Sequence, residues 1–262
     1  MHLHHTESIQ RVTDYFERDP EVSALLLGGS IAHGFETATS DVDLMIFVSE
    51  ESYKKRFLEN RIHFFNTELT TYAGGYVDGK YATHSFVKQV IEKGSEPARF
   101  AFAGSQILFS KIDGFGEDIC RAAEYPVAQK AERIRRFYAQ FEAWHWYSGE
   151  ALRLKNQYLL GTSVSKFILF SGRLILAYNE ILYPYHKWFF RVLQAARCQP
   201  VDLLPSMQEL IEFPTSKNIE TLYEKVKSFQ TWIDDPSFSW PTQFMLDSEL
   251  NWLDGKTPVD DL

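Results

Sequence analysis

The stretch GGSIAHGFETATSDVDLMIF, residues 28–47, sets two carboxylates, Asp41 and Asp43, one residue apart at the mouth of an apolar run. Side chains alternate along a strand with period two, so both project from one face. Two like charges that close repel each other and call for a cation. Mg2+ is held by a few carboxylates together with the phosphate oxygens of a substrate. Just upstream, the apolar run Val22–Leu27 ends in Gly28-Gly29-Ser30. Gly29 brings bare backbone close to whatever binds there, and Ser30 offers a hydroxyl and backbone N–H groups to a phosphate, more so if a helix starts at that point. A two-metal site, in which one ion activates a hydroxyl and the other clamps a triphosphate, needs a third carboxylate. Asp78 is the candidate: Tyr76, Asp78 and Lys80 share one face of an expected strand, and Gly79 leaves room for close approach.

Other phosphate-binding readings fail on residue type. A P-loop needs Lys-Ser or Lys-Thr after its second glycine, and Gly34 is followed by Phe35-Glu36. A dinucleotide fingerprint wants glycine where Ser30 stands. A nucleophile elbow needs glycine at Ala32.

The pattern of Gly29-Ser30, a gap, Asp41-x-Asp43 in a hydrophobic strand and a later Asp78 resembles the nucleotidyltransferases of the DNA polymerase β superfamily. The segments Gly74-to-Tyr81, GSEPARFAFAGSQILF (94–109) and YPYHKW (183–188) look like a bacterial subfamily similar to the aminoglycoside and lincosamide nucleotidyltransferases. The resemblance implies an α+β fold: an N-terminal domain with a mixed β-sheet and flanking helices, then an all-α helical bundle. It also implies transfer of a nucleoside monophosphate from ATP or another nucleoside triphosphate to a small-molecule hydroxyl, with release of pyrophosphate and use of two Mg2+ ions. Asp41, Asp43 and Asp78 are then the metal-binding and catalytic carboxylates, and Gly29 and Ser30 hold phosphate. Lys187, in the helical region, is placed as the family often places a phosphate-neutralising lysine; an ordinary surface lysine is the other reading. Lys80 is either a phosphate contact or the salt-bridge partner of Asp78. A nucleotide-binding regulator or antitoxin-type protein acting on a protein partner is the alternative function, and the complete carboxylate set argues against a binding-only module.

Positioning these residues requires a helix over 6–18, strands over 22–27 and 42–48, a helix over 53–60, a turn at Gly74-Gly75 leading into a strand over 76–84, a helix over 86–93, a helix start capped by Ser95, and a last strand over 106–110. Beyond Asp113-Gly114 the pattern is almost purely helical. A long helix runs from Pro126 to about 160, a break falls at Gly161-Thr162, and a second helix runs to Pro184. This sets domains at 1–114 and 115–262.

The chain has 262 residues, 45% of them hydrophobic, enough for a sizeable core in one or two domains. A net charge of −8 argues against general nucleic-acid binding, which needs a basic face. Two isolated cysteines, no signal-like apolar stretch at the N-terminus and no long uninterrupted apolar run point to a reduced cytoplasmic protein with no membrane span. His2, His4 and His5 read as chance residues of a frayed terminus rather than as metal ligands. His33 either caps the phosphate loop or touches nucleotide. Arg133, Arg135 and Arg136 read as a solvated helix face. Phe141, Trp144, Trp146 and Tyr147 read as a core seam. Glu142, Glu150 and Glu180 are candidate general bases among which nothing in the sequence selects.

Overall fold

The computed structural model describes residues 1–253, 255 and 259–261. The chain divides into two compact units, 1–124 and 125–262.

The first unit is built on a five-stranded mixed sheet in the order β3-β4-β2-β1-β5. Its strands are β1 (Val22–Leu27), β2 (Val42–Val48), β3 (His63–Asn66), β4 (Val77–Ala82) and β5 (Gln106–Ser110). Only β2 and β4 run parallel; the other neighbours are antiparallel. Its helices are α1 (Leu3–Glu17), α2 (Gly29–Ala32), α3 (Glu50–Leu58), α4 (His84–Lys93), α5 (Glu96–Phe100) and α6 (Phe115–Ala122).

β1 and β2 are central and covered on both faces, which is why VSALLL and VDLMIFV read as continuous apolar runs rather than as alternating ones. On one face Leu25, Leu27, Val42, Leu44, Ile46 and Val77 pack with Val12 and Phe16 of α1. On the other, Ala24, Leu26, Met45, Phe47 and Ala82 pack with Val87 and Val90 of α4 and with Phe115, Ile119 and Ala122 of α6. By the same alternation Asp43 heads the row that continues to Met45 and Phe47, and Asp78 heads the row that continues to Lys80 and Ala82. The carboxylates therefore open from the α4–α6 face, at the strand ends that the helices leave uncovered.

Several expectations shift. α1 starts at Leu3, so the N-terminal histidines belong to a helix, and His5 is fully buried rather than frayed. β3 is an additional strand; the turn at Gly74-Gly75 is present, with the Gly75 N–H donating to the Tyr72 carbonyl at 3.1 Å and Gly74 at a φ of +73°, but it lies within a longer connection from β3 to β4. The first unit reaches Glu124, beyond the boundary set at 114, because α6 seals the sheet core and the Glu124 carbonyl accepts from Arg99.

The second unit is helical: α7 (Lys130–Arg153), α8 (Gln157–Tyr178), α9 (Phe189–Gln194), α10 (Leu203–Glu212), α11 (Ser216–Lys227) and α12 (Trp240–Ser248). α7 and α8 pack along each other at its centre. Their break falls at 154–156, not at Gly161. Lys155 takes a positive φ of 53°, and the Asn156 side chain caps the start of α8 by accepting from the Leu159 N–H. Gly161 lies inside α8, which ends at Tyr178, before Pro184. α8 is long and apolar enough to cross a membrane by composition, yet most of it is buried inside this unit. Because both flanks of α7 are covered, Arg133 and Arg136 are buried, and Arg136 donates to Asp247 at 2.7 Å. The arginine cluster is thus largely internal rather than a solvated face.

Candidate functional site

Gly29 takes a φ of +62°, and a Cβ at this position would fall 1.6 Å from the Asp43 Oδ2. No other residue fits, because the Asp43 carboxylate occupies the space a side chain would need. Gly28 donates its N–H to the Asp43 carbonyl at 2.9 Å, which fixes the start of α2 against β2. Ser30 follows on α2. Its side chain is buried, and its hydroxyl has no hydrogen-bond partner among the described residues. A buried hydroxyl without a partner costs free energy, about 1–3 kcal/mol, unless something bound there completes it.

Asp43 and Asp78 are lateral partners in the parallel pairing of β2 with β4. Lateral partners share a face, so these two carboxylates lie side by side, with Asp41 two residues before Asp43. Tyr76 adjoins the start of β4 and engages Asp41. Its hydroxyl donates to Asp41, and its pKa is raised by the Asp41 charge and that hydrogen bond, then by burial, Asp43 and Asp78. Asp78 does not pair with Lys80. Its Oδ1 accepts from the His63 Nε2 of β3 at 2.9 Å. Phe65, the lateral neighbour of Asp78 on that edge strand, is 57% exposed, with its ring 5.4 Å from that of Tyr76. Lys80 is exposed by area, yet protein packed around it lowers its ammonium pKa, with the Asp43 charge opposing. The exposed area matters more for binding, since it leaves the cation accessible. Gly79 faces the other way. A Cβ there would sit 3.1 Å from the Ile46 Cδ1, so this glycine serves core packing and not approach of a ligand.

His33 caps its own loop. Its Nδ1 lies 2.7 Å from the Gly29 carbonyl and its Nε2 3.2 Å from the Phe100 carbonyl, with the ring stacked on Phe100. Lys187 lies in the second unit, its Nζ 5.3 Å from the Trp188 ring centre. The three candidate general bases are all engaged. Glu142 accepts from Tyr223 at 2.9 Å and from Tyr138; Glu150 is bridged by Arg153 at 2.6 Å and Glu180 by Lys130 at 2.8 Å. In the GSEPARFAFAGSQILF segment, Glu96 and Arg99 are buried, and Arg99 donates to the Gly94, Ile91 and Glu124 carbonyls. That segment therefore builds the fold.

Among the described residues no three His, Cys, Asp or Glu side chains converge as they stand on a metal-sized point. Asp41 and Asp78 are engaged by Tyr76 and His63 instead. The donor type nevertheless suits Mg2+: hard carboxylate oxygens on one face, beside a buried hydroxyl placed for phosphate. Tyr76, His63 and Phe65 are the site neighbours that sequence reasoning did not single out; Tyr76 was visible only as a residue sharing the face of Asp78.

Residues 10–95 match the family model described as Polymerase beta, Nucleotidyltransferase. That segment contains Gly29, Ser30, all three aspartates and Tyr76, and it is similar to the nucleotidyltransferases of the DNA polymerase β type. Among solved structures, the nucleotidyltransferase-like protein from Exiguobacterium sibiricum 255-15 aligns over 96% of this chain and 87% of that chain, with 12% sequence identity and a TM-score of 0.48. A comparison with curated proteins finds no match.

Proposed function

We propose that the first unit transfers a nucleoside monophosphate from ATP or another nucleoside triphosphate to a hydroxyl of a small molecule, releasing pyrophosphate. One observation carries this reading: the buried Ser30 hydroxyl, without a partner among the described residues, stands one residue from a glycine packed directly on Asp43. A phosphate donor is thereby held against a row of carboxylates. The general superfamily character of the segment supports the same class of chemistry.

In this reading Ser30 Oγ and the first N–H groups of α2, which have no intrahelical carbonyl to bond, donate to the terminal phosphates. Asp41, Asp43 and Asp78 would hold Mg2+, which would supply neutralisation of phosphate charge and acidification of the acceptor hydroxyl. The acceptor oxygen attacks the α-phosphorus, the bond from that phosphorus to the β-bridging oxygen breaks, and pyrophosphate leaves. The hydroxyl proton passes to the Asp78 carboxylate, whose Oδ1 is steadied by His63. Lys80 and Lys187 are proposed to balance phosphate charge. Positioning and charge neutralisation supply most of the catalysis, as for phosphoryl transfer generally. The likeness to aminoglycoside and lincosamide enzymes motivates the choice of a small-molecule acceptor. Incubation with labelled ATP, Mg2+ and a panel of hydroxyl compounds, followed by mass spectrometry, tests the proposal. A nucleotidylated acceptor with pyrophosphate is expected. Failure of every nucleoside triphosphate to bind in the presence of Mg2+ would overturn it.

A further inference from the structure

The loop from α2 to β2 delivers Asp41 to the sheet. The carbonyl of Ser40, the residue just before Asp41, is held twice. His5 Nε2 lies 3.1 Å from it, and the Tyr72 hydroxyl donates to it. Two residues earlier, the Ala38 carbonyl accepts from His4 Nε2 at 2.9 Å. The His4 and His5 rings lie 4.3 Å apart, and 4.5 and 5.2 Å from the Tyr72 ring. Thr71 ties this segment back to α1: its hydroxyl donates to the His4 carbonyl at 3.1 Å and its N–H to Ser8 Oγ at 3.0 Å. Three segments far apart in sequence thus meet at the peptide unit that precedes Asp41.

His5 is 0% exposed, and its Nδ1 has no hydrogen-bond partner among the described residues. A carbonyl only accepts, so Nε2 carries the hydrogen and Nδ1 the lone pair; the ring is the neutral Nε2–H tautomer. A proton added to Nδ1 would create a buried cation whose new N–H meets no acceptor.

We propose that His5, with His4 and Tyr72, forms a latch that positions Asp41 for nucleotide binding. The inference rests on the role given above to Asp41 in holding Mg2+ with the triphosphate. His5 is a positioning residue: it touches the loop and not the substrate. Burial, then the neighbouring His4, lower its pKa; the bond to Ser40 opposes this, His2 adds to the lowering and Glu36 opposes it. The Tyr72 pKa is raised by burial, then by Asp41 and Tyr76, so its hydroxyl remains a donor. The groups facing the latch are therefore His2 at the N-cap of α1, His4 within α1, Glu36 and Asp41 from the loop, and Tyr72 and Tyr76 from the third segment. With the folded pKa of His5 below its unfolded value of about 6.5, the unfolded chain binds more protons in this window. The stabilisation by the latch is complete above that pH and is lost as pH falls below it and through the folded pKa.

The test uses the full chain and three variants, His5→Gln, His5→Leu and Tyr72→Phe. Hydrogen exchange over residues 36–41 is measured without ligand at neutral pH. Mg-ATP affinity is measured by calorimetry from about pH 8 to about pH 5.5. Faster exchange over 36–41 is expected in His5→Leu and Tyr72→Phe, with Mg-ATP affinity reduced by about two- to tenfold. His5→Gln, which keeps an N–H donor and cannot titrate, should retain the neutral-pH affinity and flatten the acid-side fall of the wild type. Wild-type exchange over 36–41 in Tyr72→Phe and in folded His5→Leu would overturn the latch. An acid-side fall that persists unchanged in His5→Gln would overturn the assignment of that proton to His5. A wild-type protein that binds no Mg-ATP at any pH would instead sink the proposed function, and the exchange data alone would then decide the latch.

Discussion

Two regions of this protein gather carboxylates and tyrosines, and they do so to opposite ends. In the second unit, Glu142 of α7 is buried and saturated. Tyr138 and Tyr223 both donate hydroxyls to it, Lys227 stands 3.8 Å away, and the His145 ring stacks on Tyr223 at 3.8 Å. Burial, and then the hydrogen bond to Glu142, raise the pKa of both tyrosines well above the ordinary value, so they stay protonated donors. In the first unit, the Tyr76 hydroxyl donates to Asp41 and the His63 ring to Asp78, and the buried Ser30 hydroxyl has no partner among the described residues. A carboxylate whose acceptor capacity is filled from within the protein holds helices together. A carboxylate that accepts from a single side chain, as Asp41 does from Tyr76, has lone pairs left for a ligand.

The sharpest way to break this contrast is to neutralise one member of each group. Asp43→Asn should cost at least about a hundredfold in Mg2+-dependent transfer, the order expected when charge stabilisation at a reacting centre is lost. It should leave thermal melting of the ligand-free protein unchanged or slightly raised, since a repulsion is removed. Equal nucleotide affinity in Mg2+ and in EDTA for the wild type would refute the aspartate site at once. Glu142→Ala should do the reverse. Two donors lose a charged acceptor, so stability should fall by about 2–4 kcal/mol in denaturant unfolding, with nucleotide binding by the folded fraction preserved. A Glu142→Ala protein that melts normally but loses transfer would make Glu142 functional and dissolve the distinction.

Two smaller effects sharpen it. Ser30→Ala should weaken Mg-ATP binding by about 0.5–1.5 kcal/mol, or somewhat more where the contact is charge-assisted, and leave adenosine binding unchanged. A parallel loss for both ligands would remove Ser30 from the phosphate. Lys187→Ala is expected to have the smallest effect: the Lys187 Nζ lies 5.3 Å from the ring centre of its neighbour Trp188. If Lys187 does neutralise phosphate, the variant should melt like the wild type without ligand and show a reduced upward shift with Mg-ATP. An undiminished shift would make it a surface charge of the helical unit.

How legible these features were depended on where each backbone bond closes. β1 and β2 were readable to the residue because central strands covered on both faces carry dense apolar runs. β3 was not: His63–Asn66 is a four-residue edge strand with alternating exposure, too short for its alternation to stand out. Gly161 drew the helix break to the wrong place. A glycine inside a helix costs only about 1 kcal/mol and is tolerated, whereas the side-chain cap from Asn156 marks a true start. His5 looked like terminal noise, and only the path of 36–41 across α1 buries it.

By itself the sequence determined the order of the parts: a glycine-serine turn after one buried strand, two aspartates of like parity opening the next, and a third aspartate further on. Strand periodicity and the chemistry of carboxylates and glycine are local properties, so they survive without coordinates. Which residues meet was decided only by tertiary structure. The parallel pairing of β2 with β4 sets Asp78 beside Asp43, and β3 then brings His63 and Phe65 to Asp78. The return of 71–76 past the loop places Tyr72 on the Ser40 carbonyl and Tyr76 on Asp41. These are non-local closures, fixed by sheet register and by burial of both faces of the sheet, and no window of sequence contains both partners.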